Sequence, residues 1–390
     1  MAKASEVKRK GMLRIMENKY TIQDIFQMYG PEYIKHHKLS KEQWKVYNAI
    51  INCKTKELGI HNITCKECGE VITGFNSCRN RHCPMCQSYA RECWIVRESK
   101  YLLDCPYFHI VTTVPKELNE IALYNQKEFY NTLFKASSES ILELCNDPKW
   151  LGAKVGITSI LHTWGQTMEF HPHIHSIVTG GGIKNNKWVE IEKEYLLKVQ
   201  VLSKLFKFKF LSMLKHLDLK LPNHLKHLKN IKELNNFLRP LYNKDWVTYI
   251  EPPKGSPENV IEYISRYSFR VAISNERIKD ISNSQITFEY KDYKDDSKIK
   301  TMTISAEEFI RRFLLHVLPT HFTKIKHYGI LSNRGKKSLI KLCRILIGEK
   351  VFSDFTTNIS KKRKLHEFLC PNCGNNTFYY AYYYRRSCTI

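Results

Sequence analysis

Two histidines separated by one apolar residue, His173 and His175 in the run His171-Pro-His-Ile-His, share a face only if the chain there is a β-strand, whose side chains alternate sides. The flanks support a strand, since Ser176-Ile-Val-Thr continues the run and Gly180-Gly-Gly closes it with a turn signal. Two imidazoles on one face are half of a metal site, although two unrelated histidines on a half-exposed strand would give the same pattern. A third ligand belongs on a neighbouring strand, and residues 156–168, rich in Ile, Thr, Leu and Trp, can pair with this one as an antiparallel hairpin. Gln166, seven residues before His173, is the best-placed donor, with Glu169 and His171 as alternatives. Two imidazoles and an oxygen leave positions open, which suits Mg2+ or Mn2+ holding a phosphate better than a closed structural zinc.

A second set of residues suits nucleophilic chemistry. Ser256-Pro offers a helix cap and a proline at the first helical position, and Tyr263 and Tyr267, four apart, fall on one face of the helix that follows. An aromatic core stripe has the same spacing. Arg266, Arg270 and Arg277 set this pair apart, because cations stabilise a phenolate whose unperturbed pKa is about 10 and attract phosphate.

The N-terminal third carries Cys65-x-x-Cys68 and Cys83-x-x-Cys86 with fourteen residues between them, the spacing of two knuckles closing one tetrahedral zinc site. Cys53, His61, Cys78 and His82 are candidate ligands for a second ion, while Cys93 and Cys105 read as ordinary buried residues. Arg79, Arg81, Arg91 and Arg97 lie on or just after the knuckles, where rigid loops would present them to DNA phosphates. Near the C-terminus, Cys370-Pro-Asn-Cys373 is a lone knuckle whose partners would have to be Cys388, His366, Cys343 or another chain, and Tyr379 to Tyr384 could form a strand packed on it.

Composition points to a nucleic-acid partner. The 390 residues include 62 Lys and Arg against 38 Asp and Glu, a net charge of +24. Abundant Tyr and Phe offer faces on which unpaired bases stack. No apolar run approaches the length that spans a bilayer, and no apolar signal-peptide core opens the chain, so a cytoplasmic protein is expected with no membrane partner. Thirteen cysteines, an odd number grouped in knuckles, fit zinc in a reducing compartment. No GxxxxGK[ST] loop is present, so no nucleotide cofactor is expected.

Taken together, HPHIH, the upstream WGQT, YISRYSFRVAISNERI, FIRRFLLHVLP and HYGILSNR resemble the HUH-superfamily rolling-circle transposases, and among them the two-tyrosine group of the insertion sequence ninety-one family. The likeness runs from about residue 40 to about residue 335, and the stretch ending in SCRNRHCPMCQ resembles that family's zinc-binding domain. The resemblance implies an HUH endonuclease in which His173, His175 and Gln166 hold the divalent ion and Tyr263 and Tyr267 are the nucleophiles. It further implies a transposase that nicks and rejoins single-stranded DNA at element ends through a 5′-phosphotyrosine link. Many relatives carry a histidine where this chain has Phe269. The same chemistry would serve a plasmid replication initiator or relaxase. Two readings of other kinds are a zinc-dependent DNA-binding regulator without catalysis and a metal-dependent hydrolase using water.

The elements that must position these residues give an α+β expectation: an HUH core, an antiparallel sheet with flanking helices, behind a helical, zinc-binding N-terminal domain. Residues 1–104 form the latter, with Ser40 and Gln43 as a capping box and Trp44, Tyr47, Ile50 and Ile51 on one helix side. Residues 105–330 hold the nuclease. Its strands fall at 107–114, in the HPHIH hairpin, and at 271–274, 285–290 and 298–304, with helices at 118–146, 198–235 and 306–318 and the tyrosine helix across the sheet. Residues 204–231 read as a basic helical insertion lining a strand path, and 331–390 as a basic tail opening with a helix at 335–347.

Overall fold

A computed structural model describes residues 20–192, 195–251, 272–348 and 369–383. Tyr263, Tyr267, Arg266 and Arg270 lie outside them. Helices α1 (Ile22–His36) and α2 (Lys41–Asn52) both start behind capping boxes, Thr21 with Asp24 and Ser40 with Gln43, which satisfy amides left open at a helix start. Trp44 is exposed, while Val46, Tyr47 and Ile50 are buried. A hairpin of β1 (Ile60–Cys65) and β2 (Val71–Phe75) follows, then α3 (Pro84–Ser99) with its proline in the first turn.

Next come β3 (Tyr107–Thr113), α4 (Asn119–Tyr124), α5 (Gln126–Asn146), β4 (Lys154–Trp164), β5 (Phe170–Lys184), β6 (Lys187–Glu190), α6 (Val199–Leu214), α7 (Ile231–Asn243) and β7 (Thr248–Glu251). The expected helix at 118–146 breaks at buried Asn125. Its amide bonds the backbone of Lys220 in both directions at 2.8 Å, which holds that backbone out of helical geometry. The expected helix at 198–235 likewise stops at Leu214 and resumes at Ile231, with Pro222 between. The basic segment is less solvated than its lysines suggest, because Leu202, Phe206, Phe210, Leu211 and Leu214 of α6 are buried.

The C-terminal described part holds β8 (Ile278–Ser282), β9 (Gln285–Asp292), β10 (Lys298–Ser305), α8 (Ala306–Leu315), β11 (Ile325–Gly329), α9 (Lys336–Ile347) and β12 (Phe378–Tyr383). The strand expected at 271–274 begins instead at Ile278. Ala272 and Ile273 are apolar because they enter the core beside α1, α2 and α8, a burial that hydrophobic pattern alone does not separate from strand pairing. The first two helices therefore share a core with β8–β10 and α8. Of the described residues beyond 331, α9 shares a core with α3 through Ile340 and Cys343, and β12 pairs with β1.

The main sheet is antiparallel in the order β11-β4-β5-β3-β7, with β6 folded on the end of β5. Ile174, fully buried between His173 and His175, packs with Leu161 against Phe129, Phe206 and Phe210 of the helical layer. Each such side chain contributes about 2 kcal/mol on leaving water. Strand alternation then sends the two histidines to the opposite face. On that face Ile160 and Ile177 pack with Trp94 and Ile95 of α3, so the face carrying His173 and His175 is bordered by the N-terminal module. Among the described residues no helix is long and apolar enough to cross a membrane.

Candidate active site

Strands β4 and β5 place His162 directly opposite His173. Ligand nitrogens of His162, His173 and His175 all lie within 4.8 Å of one another, and the three side chains are buried. Burial pushes His173 down to about 3, and burial followed by the neighbouring His162 holds His175 well below its ordinary range. Both are neutral imidazoles at physiological pH, the form that ligates metal.

Hydrogen bonds hold these rings in place. His109 lies with its Nδ1 3.2 Å from Glu251 Oε2, and a carboxylate accepts only, so His109 carries its proton on Nδ1. Its Nε2 lies 2.8 Å from His175 Nδ1. His173 donates Nδ1–H to the carbonyl of His171 at 2.6 Å. The Nε2 atoms of His173 and His175 stand 3.0 Å apart. Ligand nitrogens about 2.1 Å from one ion at nearly a right angle would stand about 3.0 Å apart, so the site fits a metal.

His109 and Glu251 escaped the sequence reading because they sit on β3 and β7, far from the motif. Their role is to hold His175 in one orientation. Glu251→Ala is expected to weaken metal binding and activity by about 10–100-fold, the usual effect of losing a partner behind a metal ligand. Titrating Mn2+ against the variant checks this, and excess Mn2+ should restore most of the activity.

Gln166 is not drawn into the cluster. The hairpin turns at Gly165, whose amide bonds Glu169 O at 3.0 Å, so Gln166 sits in the turn and not on the strand. Its amide donates to Tyr293 Oη at 3.2 Å and accepts from Lys291 N at 3.4 Å, tying the turn to β9 and the residues beyond it, and Arg277 bonds its carbonyl. Glu169 closes the turn by accepting from Thr167, and His171 lies beside the cluster without joining it. His162 was legible in principle: in a hairpin turning near Gly165, it is the residue opposite His173.

The cysteines pair differently from the expectation. Cys83 and Cys86 converge with Cys53 and Cys78, with Sγ atoms 3.6 Å apart for Cys53–Cys86 and for Cys78–Cys86, whereas Cys65 and Cys68 meet Cys370 and Cys373. His61 bonds Asn76 at 3.0 Å, and buried His82 accepts from the amide of Leu318 at 3.3 Å, so neither joins a thiol cluster. Cys343 is buried between α3 and α9, Cys105 is buried and Cys93 is exposed; His366 and Cys388 lie outside the described residues.

Of the described arginines, Arg79 is exposed on a left-handed turn, Arg91 pairs with Glu92 at 3.1 Å and Arg97 with Glu98 at 3.3 Å. Arg81 bonds the carbonyls of Pro319 and Phe322 and helps line a cavity of about 580 Å³ with Trp94, Arg97, Trp164, Lys324 and Lys336. The cavity abuts the histidines, since Trp164 stacks on His162 at 4.6 Å and the Lys324 ammonium lies 4.8 Å over the Trp164 ring. Burial, then repulsion from Arg81, pushes Lys324 down to about 7.

A family model described as "Putative transposase" matches residues 156–338, and one described as "Transposase zinc-binding domain" matches residues 25–114. The chain is 41% identical over 367 residues to "Putative transposase y4qJ" of Sinorhizobium fredii (strain NBRC 101917 / NGR234), covering 90% of this chain and 92% of that one. It is 27% identical over 303 residues to "Transposase for insertion sequence element IS801" of Pseudomonas savastanoi pv. phaseolicola, covering 73% and 69% respectively. No solved structure matches.

Proposed function

Because the chain belongs to the insertion sequence ninety-one family of transposases and carries that family's zinc-binding domain, we propose that it nicks and rejoins single-stranded DNA by transferring a strand to its own tyrosine. The observation that carries the reading is the convergence of His162, His173 and His175 on two paired strands, with the Nε2 atoms of two of them 3.0 Å apart. A divalent cation held there would act as a Lewis acid on a scissile phosphate.

The protein groups supply the rest. Glu251 and His109 keep His175 oriented, and the burial of the imidazoles keeps them unprotonated. The cavity beside them is lined by Trp164, Arg97, Lys324 and Lys336, the aromatic and cationic kinds of group that hold unpaired DNA. Tyr263 or Tyr267 attacks phosphorus in line, which forms a 5′-phosphotyrosine and releases the 3′-hydroxyl. The phosphodiester is exchanged and not hydrolysed, so the strand can be rejoined with no nucleotide. Two tyrosines allow two successive transfers.

Three nitrogen donors alter the expected ion. Mg2+ prefers oxygen ligands, whereas imidazole suits first-row transition ions. Mn2+ should therefore sustain activity at concentrations on the order of tenfold below those needed with Mg2+, measured as adduct yield across a titration of each ion. The reading itself is tested by incubating the protein with labelled single-stranded element-end DNA and Mn2+. A covalent protein–DNA band supports it. Cut products with no adduct would indicate a hydrolase, and tight binding without cutting a regulator.

A further inference from the structure

We propose that Cys65, Cys68, Cys370 and Cys373 hold a zinc ion of their own, separate from the one held by Cys53, Cys78, Cys83 and Cys86, and that it clasps the C-terminal strand to the N-terminal zinc-binding domain. The two C-terminal cysteines lie outside both family-matched regions, which end at residues 114 and 338.

The four sulfurs are arranged as ligands and not as disulfides. Cys65 Sγ lies 3.5 Å from Cys373 Sγ, and Cys68 Sγ lies 3.5 Å from Cys370 Sγ, with all four within 4.8 Å of one another. A disulfide requires about 2.05 Å. Thiolates about 2.3 Å from a tetrahedral zinc stand about 3.8 Å apart, close to what is seen.

The backbone carries the same design twice. In one knuckle the amide of Gly69 bonds Cys65 O at 3.1 Å and that of Cys65 bonds Glu70 O at 2.9 Å; in the other, Gly374 bonds Cys370 O at 2.8 Å and Cys370 bonds Asn375 O at 2.8 Å. Gly69 and Gly374 have φ of 72° and 74°, left-handed values that glycine adopts without a Cβ clash. Two matched turns of the form Cys-x-x-Cys-Gly thus face each other across the β1–β12 ladder. Its register ends at Cys65 opposite Phe378, and Lys66 N bonds Thr377 O at 3.0 Å one step further.

Among the side chains described, that ladder has little apolar burial to hold it. In the sheet β12-β1-β2, only Cys65 of β1 and no residue of β2 is buried, and Tyr379 and Tyr380 are exposed. A three-stranded sheet without an apolar core needs a covalent or metal staple. Zinc binding forms four Zn–S bonds and releases thiol protons to solvent, with no change of oxidation state. It joins knuckles more than 300 residues apart in sequence, Cys65 and Cys373 being separated by 308 positions.

The test counts zinc by elemental mass spectrometry, using the His173→Ala protein so that the imidazole site does not contribute. Two zinc ions per chain are expected, falling to one when Cys370→Ser and Cys373→Ser are added. One ion in the parent protein, or two in the combined variant, would overturn the proposal. A measurement without cysteine variants reads the same site. Cys68 and Cys373 are exposed, so as free thiols they would alkylate at once. Protection of both in the full-length protein, lost on adding a zinc chelator, is the expected result. Rapid alkylation before chelation would overturn the assignment.

Discussion

Replacing His162 with alanine is expected to reduce covalent adduct formation more than about 100-fold, beyond the loss typical of groups one shell removed from a metal. His162 faces His173 across the hairpin, and all three ligand nitrogens fall within 4.8 Å, so its removal leaves two imidazoles to grip the ion. Gln166→Ala should behave differently. Its side chain is engaged with Tyr293 and Lys291, so its loss should loosen the turn and spare most of the activity. Running both variants and His173→Ala in one assay decides the third ligand. A Gln166→Ala protein as inactive as His173→Ala, with His162→Ala active, would reverse the assignment.

The second large effect concerns the two proposed nucleophiles. The double substitution Tyr263→Phe and Tyr267→Phe should bring adduct formation to background while leaving affinity for single-stranded DNA nearly unchanged, because phenylalanine keeps the stacking face and loses only the hydroxyl. Each single variant should keep one transfer and lose the coupled rejoining of two ends. Binding measured by fluorescence anisotropy, beside adduct yield, separates loss of chemistry from loss of fold.

Local features of the site were readable in the sequence, and long-range ones were not. HPHIH identified a strand and the face its histidines share, because alternation is a property of a few consecutive residues. Ser40 with Gln43 marked the start of a helix for the same reason. The third histidine depended on hairpin register, and a turn beginning at Gly165 instead of beyond Gln166 puts His162 and not Gln166 opposite His173. His109 and Glu251 required knowing that β3 and β7 lie beside β5. The cysteines show the limit most clearly. Spacing grouped Cys65 and Cys68 with Cys83 and Cys86, the nearest pair in sequence, whereas the fold brings in Cys370 and Cys373 from the far end. The expected strand near Tyr379 was the clue, since a strand at the C-terminus needs an edge to join and β1 offers one.

The most direct measurement is peptide mapping by mass spectrometry of the protein after reaction with single-stranded element-end DNA, with Mn2+ and with chelator. A 5′-linked oligonucleotide on the peptide bearing Tyr263 or Tyr267, present with Mn2+ and absent both with chelator and in the His162→Ala protein, is the predicted result. DNA attached to any other residue, or cleavage that proceeds undiminished without His162, would contradict the account.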